Sequence, residues 1–384
     1  MVGSLLALAS LASRAYALDV GYAGFAYAGD FQSIQSRFPF TAQLIPPHPF
    51  AGGADLSAAE KQLFEGAKGL KPKNFNLVTD SLNSLEGRDQ AIMVALVATG
   101  ETVSTEKIGD ITKLFINLHA EAMFFDFKSM TVLRAYPISV VYLGAPHGNP
   151  TNAEELERVR ELVVGGEKPG LIGHFLARLS DAALPSTVTR FVGVSNVSVS
   201  SDAASTLPPY FGGGSVAETW LADEFSEAML DKTGVALLPY SKGYAIGNTM
   251  ATHLADGTVF NLKLPTPDYS VTIELQSLKK IKFGDVPAGT SFIYGSFIHL
   301  QIQEPELQQR YFDAVLKNGE TKVVPASQST VDDWPAFEES IVGLFKKFSA
   351  TVSGEDQKWI KSSASSPDVA KQIEATRTVL NSCK

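Results

Sequence analysis

The sequence of 384 residues holds a single cysteine, Cys383, next to its end. A lone thiol closes no intrachain disulfide and leaves no cysteine-based zinc site to build. Basic excess is missing too: 32 Lys and Arg stand against 41 Asp and Glu, for a net charge of −9. A general nucleic-acid binder needs a cationic face, so nucleic acid is not an expected partner. The longest basic cluster, Lys279-Lys280-Ile281-Lys282, lies on an alternating, strand-like segment and reads as a solvated strand face. Beyond the N-terminus no apolar run has the length a bilayer requires, so no transmembrane segment is expected in the mature chain.

Catalytic signatures are equally scarce. The glycine-rich stretch LDVGYAGFAYAGDF, residues 18–31, has the wrong spacing for a dinucleotide fingerprint and no Lys-Ser/Thr pair for a phosphate loop. It reads instead as a first strand, with Val20, Tyr22, Gly24, Ala26 and Ala28 on one face and Gly21, Ala23, Phe25 and Tyr27 on the other. The nearest approach to a G-x-S-x-G elbow, Gly193-Val194-Ser195-Asn196, fails at its last glycine. Six histidines (His48, His119, His147, His174, His253 and His299) are scattered without H-x-x-x-H or H-E-x-x-H spacing. His119 and Glu121 share a strand face at i, i+2, the only start a metal site has here. No third ligand can be named, and the pair is taken as polar side chains on an open sheet face. Neither a catalytic residue nor a cofactor is assigned.

What the chain does contain is a globular composition, 45% apolar and 19% charged, with length for two or three domains. Residues 2–12 (VGSLLALASLA) form an apolar segment of signal-peptide length, followed by Ala15-Tyr16-Ala17, an A-x-A cleavage pattern. The n-region is atypical, with Arg14 on the far side of the apolar stretch. A signal peptide over residues 1–17 is expected, and a periplasmic or secreted mature protein. A long exported chain nearly free of cysteine fits bacteria better than the eukaryotic secretory route.

Two halves follow, predicted over residues 18–184 and 185–352, with a polar linker and a last helix over 353–384. Each reads strand, helix, strand, then alternating strands containing a hairpin, then helix. The best match sets LFINLHAEAMFFDF and VLRAYPISVVYL against SFIYGSFIHLQIQ and QRYFDAVLK, which suggests tandem duplication. Ser57 and Glu60 predict a capping box opening a helix, and Val216, Trp220, Leu221, Phe225 and Met229 form one apolar stripe on another. The expected fold class is α/β of the α+β kind: two similar domains, each a mixed, largely antiparallel sheet covered by helices.

Two loops stand out as contact elements. Residues 207–214 (LPPYFGGG) and 46–53 (PPHPFAGG) combine rigid prolines, aromatics and glycines after the first strand of each half. Pro209, Tyr210 and Phe211, with His48 and Phe50, are the candidate binding residues if these aromatics are exposed. If they tuck onto the core, the loops are connectors.

In the second half, the helix ending in a short apolar strand, then PDYSVTIELQSL, then two long strands joined by a turn and a helix, resembles a periplasmic α/β domain family. That family includes the TolB amino-terminal domain, the curli secretion-channel protein and the lipoproteins that activate penicillin-binding proteins. Asp268-Tyr269 matches its short entry into the outer strands. The resemblance implies a non-enzymatic envelope domain working through an envelope protein partner. The anchoring cysteine of those lipoproteins and the membrane-spanning segments of a secretion pore have no counterpart here. An exported hydrolase with an unrecognised site and a periplasmic solute-binding protein are the alternatives.

Overall fold

The computed structural model describes residues 18–48, 55–79, 91–184, 190–212, 215–240, 242, 245–246, 249–255, 257–328 and 330–384. The first half runs β1 (Leu18–Ala28), α1 (Phe31–Arg37), α2 (Thr41–Leu44), α3 (Ala58–Gly69), β2 (Phe75–Val78), β3 (Ile92–Ile108), β4 (Ile111–Asp126), β5 (Thr131–Gly144), α4 (Asn152–Val164) and α5 (Leu171–Asp181). The second begins with β6 (Val192–Val199), α6 (Ser201–Ala204), a 3-10 turn at Pro209–Phe211 and α7 (Val216–Thr233). A small excursion, β7 (Ala245–Ile246), β8 (Thr249–Leu254) and β9 (Val259–Lys263), comes next. It leads to β10 (Tyr269–Val286), β11 (Gly289–Glu304), β12 (Gln309–Val324), α8 (Trp334–Ser353), α9 (Gln357–Ser363) and α10 (Val369–Asn381).

The class is mixed α/β and largely antiparallel. One sheet has the order β2-β1-β3-β4-β5-β9-β8-β7, with β8 also pairing back on β1, and the other has the order β12-β11-β10-β6. In both, the first strand runs parallel to its neighbour (β1 to β3, β6 to β10) and an antiparallel meander follows. Leu238 makes a parallel bridge to Gly193, the place that β2 takes beside β1. Within that shared order, β4 and β5 stand where β11 and β12 do. The hairpin β8–β9 crosses the boundary expected at 184/185 and joins the first sheet, covering Met93, Ala95, Met123 and Phe125. Residues 353–384 are packed rather than a free linker: Ala364 bridges Leu316 at the edge of β12, and Ile373 and Leu380 enter the second core.

Local chemistry explains several boundaries. Ser57 Oγ accepts from the Glu60 backbone N–H while the Glu60 carboxylate accepts from the Ser57 N–H, the full capping box of α3. Gly234 ends α7 in the left-handed conformation, at φ 72°. In β1 the simple alternation is corrected. A bulge between Tyr22 and Gly24, with Gly24 at φ 93°, inserts one extra residue, so Val20 shares a face with Phe25 and Tyr27. An extra residue shifts a period of two by one step, which inverts every side chain beyond it.

Helices α3, α4 and α5 cover one face of the first sheet, packing on Leu114, Ile116, Leu118 and Phe124 of β4. Helix α7 lies on β6 and α8 on one side and against β5 on the other. It is therefore an inner layer between the two sheets, buried nearly all round at Ala217, Trp220, Leu221, Ala222, Phe225, Ser226, Ala228, Met229 and Leu230. Among the described residues no helix is long and apolar enough to cross a membrane.

Candidate functional site

The proposed contact loop does not present its aromatics to solvent. Phe211 is buried, with its ring centroid 5.3 Å from that of Trp220 and 5.2 Å from that of Trp334. Tyr210 stacks on Phe115 of β4 at 4.6 Å and 12°. The rings leave water by filling the seam between the first sheet and the second core, so this loop is a connector with its aromatics inward. Of Pro209, Tyr210 and Phe211, only Pro209 is exposed. His48 is half-buried and donates its backbone N–H to Ala255 O at 3.2 Å. Phe50 lies outside the described residues.

The expectation of an open face around His119 and Glu121 is also corrected, because α7 covers it. The bulge between Ala98 and Gly100 lets β3 follow β4, and the odd-numbered residues of β4 from Phe115 to Glu121 face the second half. Asn117 Nδ2 donates to His119 Nε2 at 2.8 Å, which leaves the imidazole proton on Nδ1, and Nδ1 faces Asp223 Oδ2 of α7 at 3.4 Å. Burial pushes the His119 pKa down to about 4, keeping the ring neutral. Burial raises Glu121 to about 8. Asp223 is raised well above the carboxylate range, first by burial and then by the negative fields of Glu121, Glu224 and Glu227. Asn117 Oδ1, Glu121 Oε2 and Asp223 Oδ2 are buried without a hydrogen-bond partner. Among the described residues no three or more His, Cys, Asp or Glu side chains converge in a way that would hold a metal ion.

This polar layer continues sideways. Ser139, directly across from His119 on β5, donates Oγ to Glu227 Oε2 at 2.8 Å, and Arg178 of α5 reaches Glu227 at 3.8 Å and Asp231 at 2.8 Å. Glu227 is itself raised, chiefly by burial, against the lowering effect of its Ser139 hydrogen bond and of Arg178. A cavity of about 260 Å³ opens at the Asn117–His119 end and one of about 510 Å³ at the Ser139–Glu227 end. The α7 acids were hidden in the sequence because an apolar stripe already explained one face of that helix. Ala222, Ser226 and Leu230, small or apolar on the other side, were the available signal of a second buried face.

A different feature dominates the surface. Of the ten large apolar side chains exposed among the described residues, four lie at the outer end of strands β10–β12: Ile281, Phe283, Val286 and Val323. Phe283, 72% exposed, is the extreme case. The segment entering α8 ties the β3–β4 hairpin near its tip and the β10–β11 hairpin nearer its middle. Lys113 Nζ lies 2.8 Å from Asp332 Oδ2, and Lys280 Nζ lies 2.7 Å from Asp333 Oδ1. Strand β10 outruns its core, with Lys279–Phe283 exposed in an unbroken run.

No family model matches this chain, and no curated protein is significantly similar to it. Among solved structures, a hypothetical protein from Chlamydia trachomatis is similar at 14% identity and a TM-score of 0.26, over 43% of this chain and 96% of that one. A likeness of that size carries no argument about fold or function.

Proposed function

We propose that this is an exported, non-enzymatic protein of the bacterial envelope that acts by binding another protein, and that the outer end of the β10–β11 hairpin, with the adjoining end of β12, is its contact surface. The observation that carries this reading is the exposure of Ile281, Phe283, Val286 and Val323 on neighbouring stretches of β10 and β12. Contiguous exposed apolar groups mark interaction sites on soluble proteins. Moving one large apolar side chain from water into a contact is worth about 1.5–3 kcal/mol, so a few such anchors suffice for a specific complex. The resemblance to the TolB-like envelope domains points to the same kind of work.

The test is capture from envelope extracts with the wild-type chain and with Ile281→Ser/Phe283→Ser. One partner held by the wild type and lost by the double variant is expected, with the melting temperature unchanged. Equal recovery by both, or no partner for either, overturns this reading.

A further inference from the structure

At the middle of the contact between the halves stand two acids that, among the described residues, no ion pair joins to a Lys or Arg. Glu121, 5% exposed, lies on the same face of β4 as His119, whose Nδ1 is 3.4 Å from Asp223 Oδ2 of α7, and one oxygen of each acid is sealed from solvent with no hydrogen-bond partner. The groups around them are acidic or neutral. His119 on the same strand is an uncharged ring whose Nδ1 faces Asp223. Glu224 and Glu227 on α7 add negative field to Asp223. The cations lie one group further out. Lys346 of α8 acts on Glu224 and Glu227, and Arg178 of α5 is held by Glu227 and Asp231. Glu338 of α8 feels Lys113 and also adds negative field to Glu224.

Two carboxylates at such a seam would each lack hydration and would repel the other, whereas two neutral carboxyl groups carry neither penalty. The cavities at either end of the layer are lined by Asn117 and His119 and by Ser139 and Glu227, and neither Glu121 nor Asp223 is among their lining residues.

We propose that the two halves are joined by a proton-dependent latch: with Glu121 and Asp223 uncharged, α7 stays seated on the first sheet, and loss of those protons parts α7 from β4 while each half keeps its own core. The division of the cores favours this, since Phe225 and Met229 of α7 belong to the second core and Leu118 and Phe124 of β4 to the first, while Leu230 of α7 packs in the first core and would have to leave it. The inference stands apart from the binding role proposed above.

Hydrogen exchange of the full chain between pH 6 and 9, corrected for intrinsic rates, reads the latch directly. Protection over 111–126 and 216–233 is expected to fall at least tenfold between pH 6.5 and 9, while protection over α3 stays level, and Glu121→Gln is expected to flatten the response. A uniform loss across the chain, a pH-independent seam, or a wild-type response in Glu121→Gln overturns the latch. Should Glu121→Gln fail to fold, isotope-edited infrared spectroscopy of the wild type decides. A protonated Glu121 carboxyl band at pH 6.5 that disappears as the seam opens supports the latch, and a carboxylate band at pH 6.5 overturns it.

Discussion

His119 Nδ1 and Asp223 Oδ2 lie 3.4 Å apart across the seam between the first sheet and the inner helix, yet burial favours the uncharged form of both groups. An ion pair there would have to offset the desolvation of two charges at once. The contact is therefore one between neutral groups, and its consequences are thermodynamic as well as structural.

Stability is expected to peak at mildly acidic pH. Glu121 has a folded-state pKa of about 8, above its unfolded value, so its contribution is full below the unfolded pKa and is lost as pH rises toward 8. Glu224, raised to about 8, and Glu338, raised to about 7, act with the same sign. His119, lowered to about 4, works the other way, gaining stability between about pH 4 and its unfolded value near 6.5. Below about 6.5 His119 offsets the slope of only one of these acids, so stability already falls there as pH rises, and above it the acids titrate unopposed. Each fully buried acid contributes a slope of about 1.4 kcal/mol per pH unit at most. Thermal melting in a pH series should show a falling midpoint from pH 6.5 to 8.5, and a rising midpoint would contradict these assignments.

The Phe115–Tyr210 stack joins β4 to the turn before α7. A double-mutant cycle with Phe115→Ala and Tyr210→Ala, measured by urea unfolding, should return a coupling of about 0.5–1.5 kcal/mol. Additive single losses would mean that the rings pack independently.

Gly24→Ala isolates the cost of a backbone angle. The added Cβ would meet no atom within 4 Å, so only the φ of 93° opposes it. A loss of about 1–3 kcal/mol is expected. A neutral outcome in chemical denaturation would show that the bulge relaxes.

At the start of α3, Ser57→Ala removes the acceptor of the Glu60 N–H at 3.2 Å. About 1 kcal/mol should be lost in the same assay. Ser57→Asp keeps an acceptor at that place and should recover most of it.

Local signals in the chain were strong wherever one residue governs its own neighbourhood. The capping box at Ser57 and Glu60, the stop at Gly234 and the long alternating runs of β4 and β11 were all legible, since periodicity and hydrogen-bonding chemistry act within a few residues. The phase of β1 beyond Tyr22 was not, because a bulge changes the period without changing composition. Which face of β4 is covered was likewise decided only in three dimensions. Asn117, His119 and Glu121 have the same chemistry on an open sheet as under a helix, and nothing in their spacing tells one from the other. Asp223 and Glu227 lie off the apolar stripe read for that helix, and only its place between two sheets buries them. The sequence by itself determined most of the long elements, their order and the mixed, largely antiparallel class, while the β8–β9 hairpin that joins the first sheet was not among them. Tertiary structure alone decided which polar side chains lie in the dry seam and which apolar ones remain in water, because burial is a property of the neighbours that long-range packing supplies.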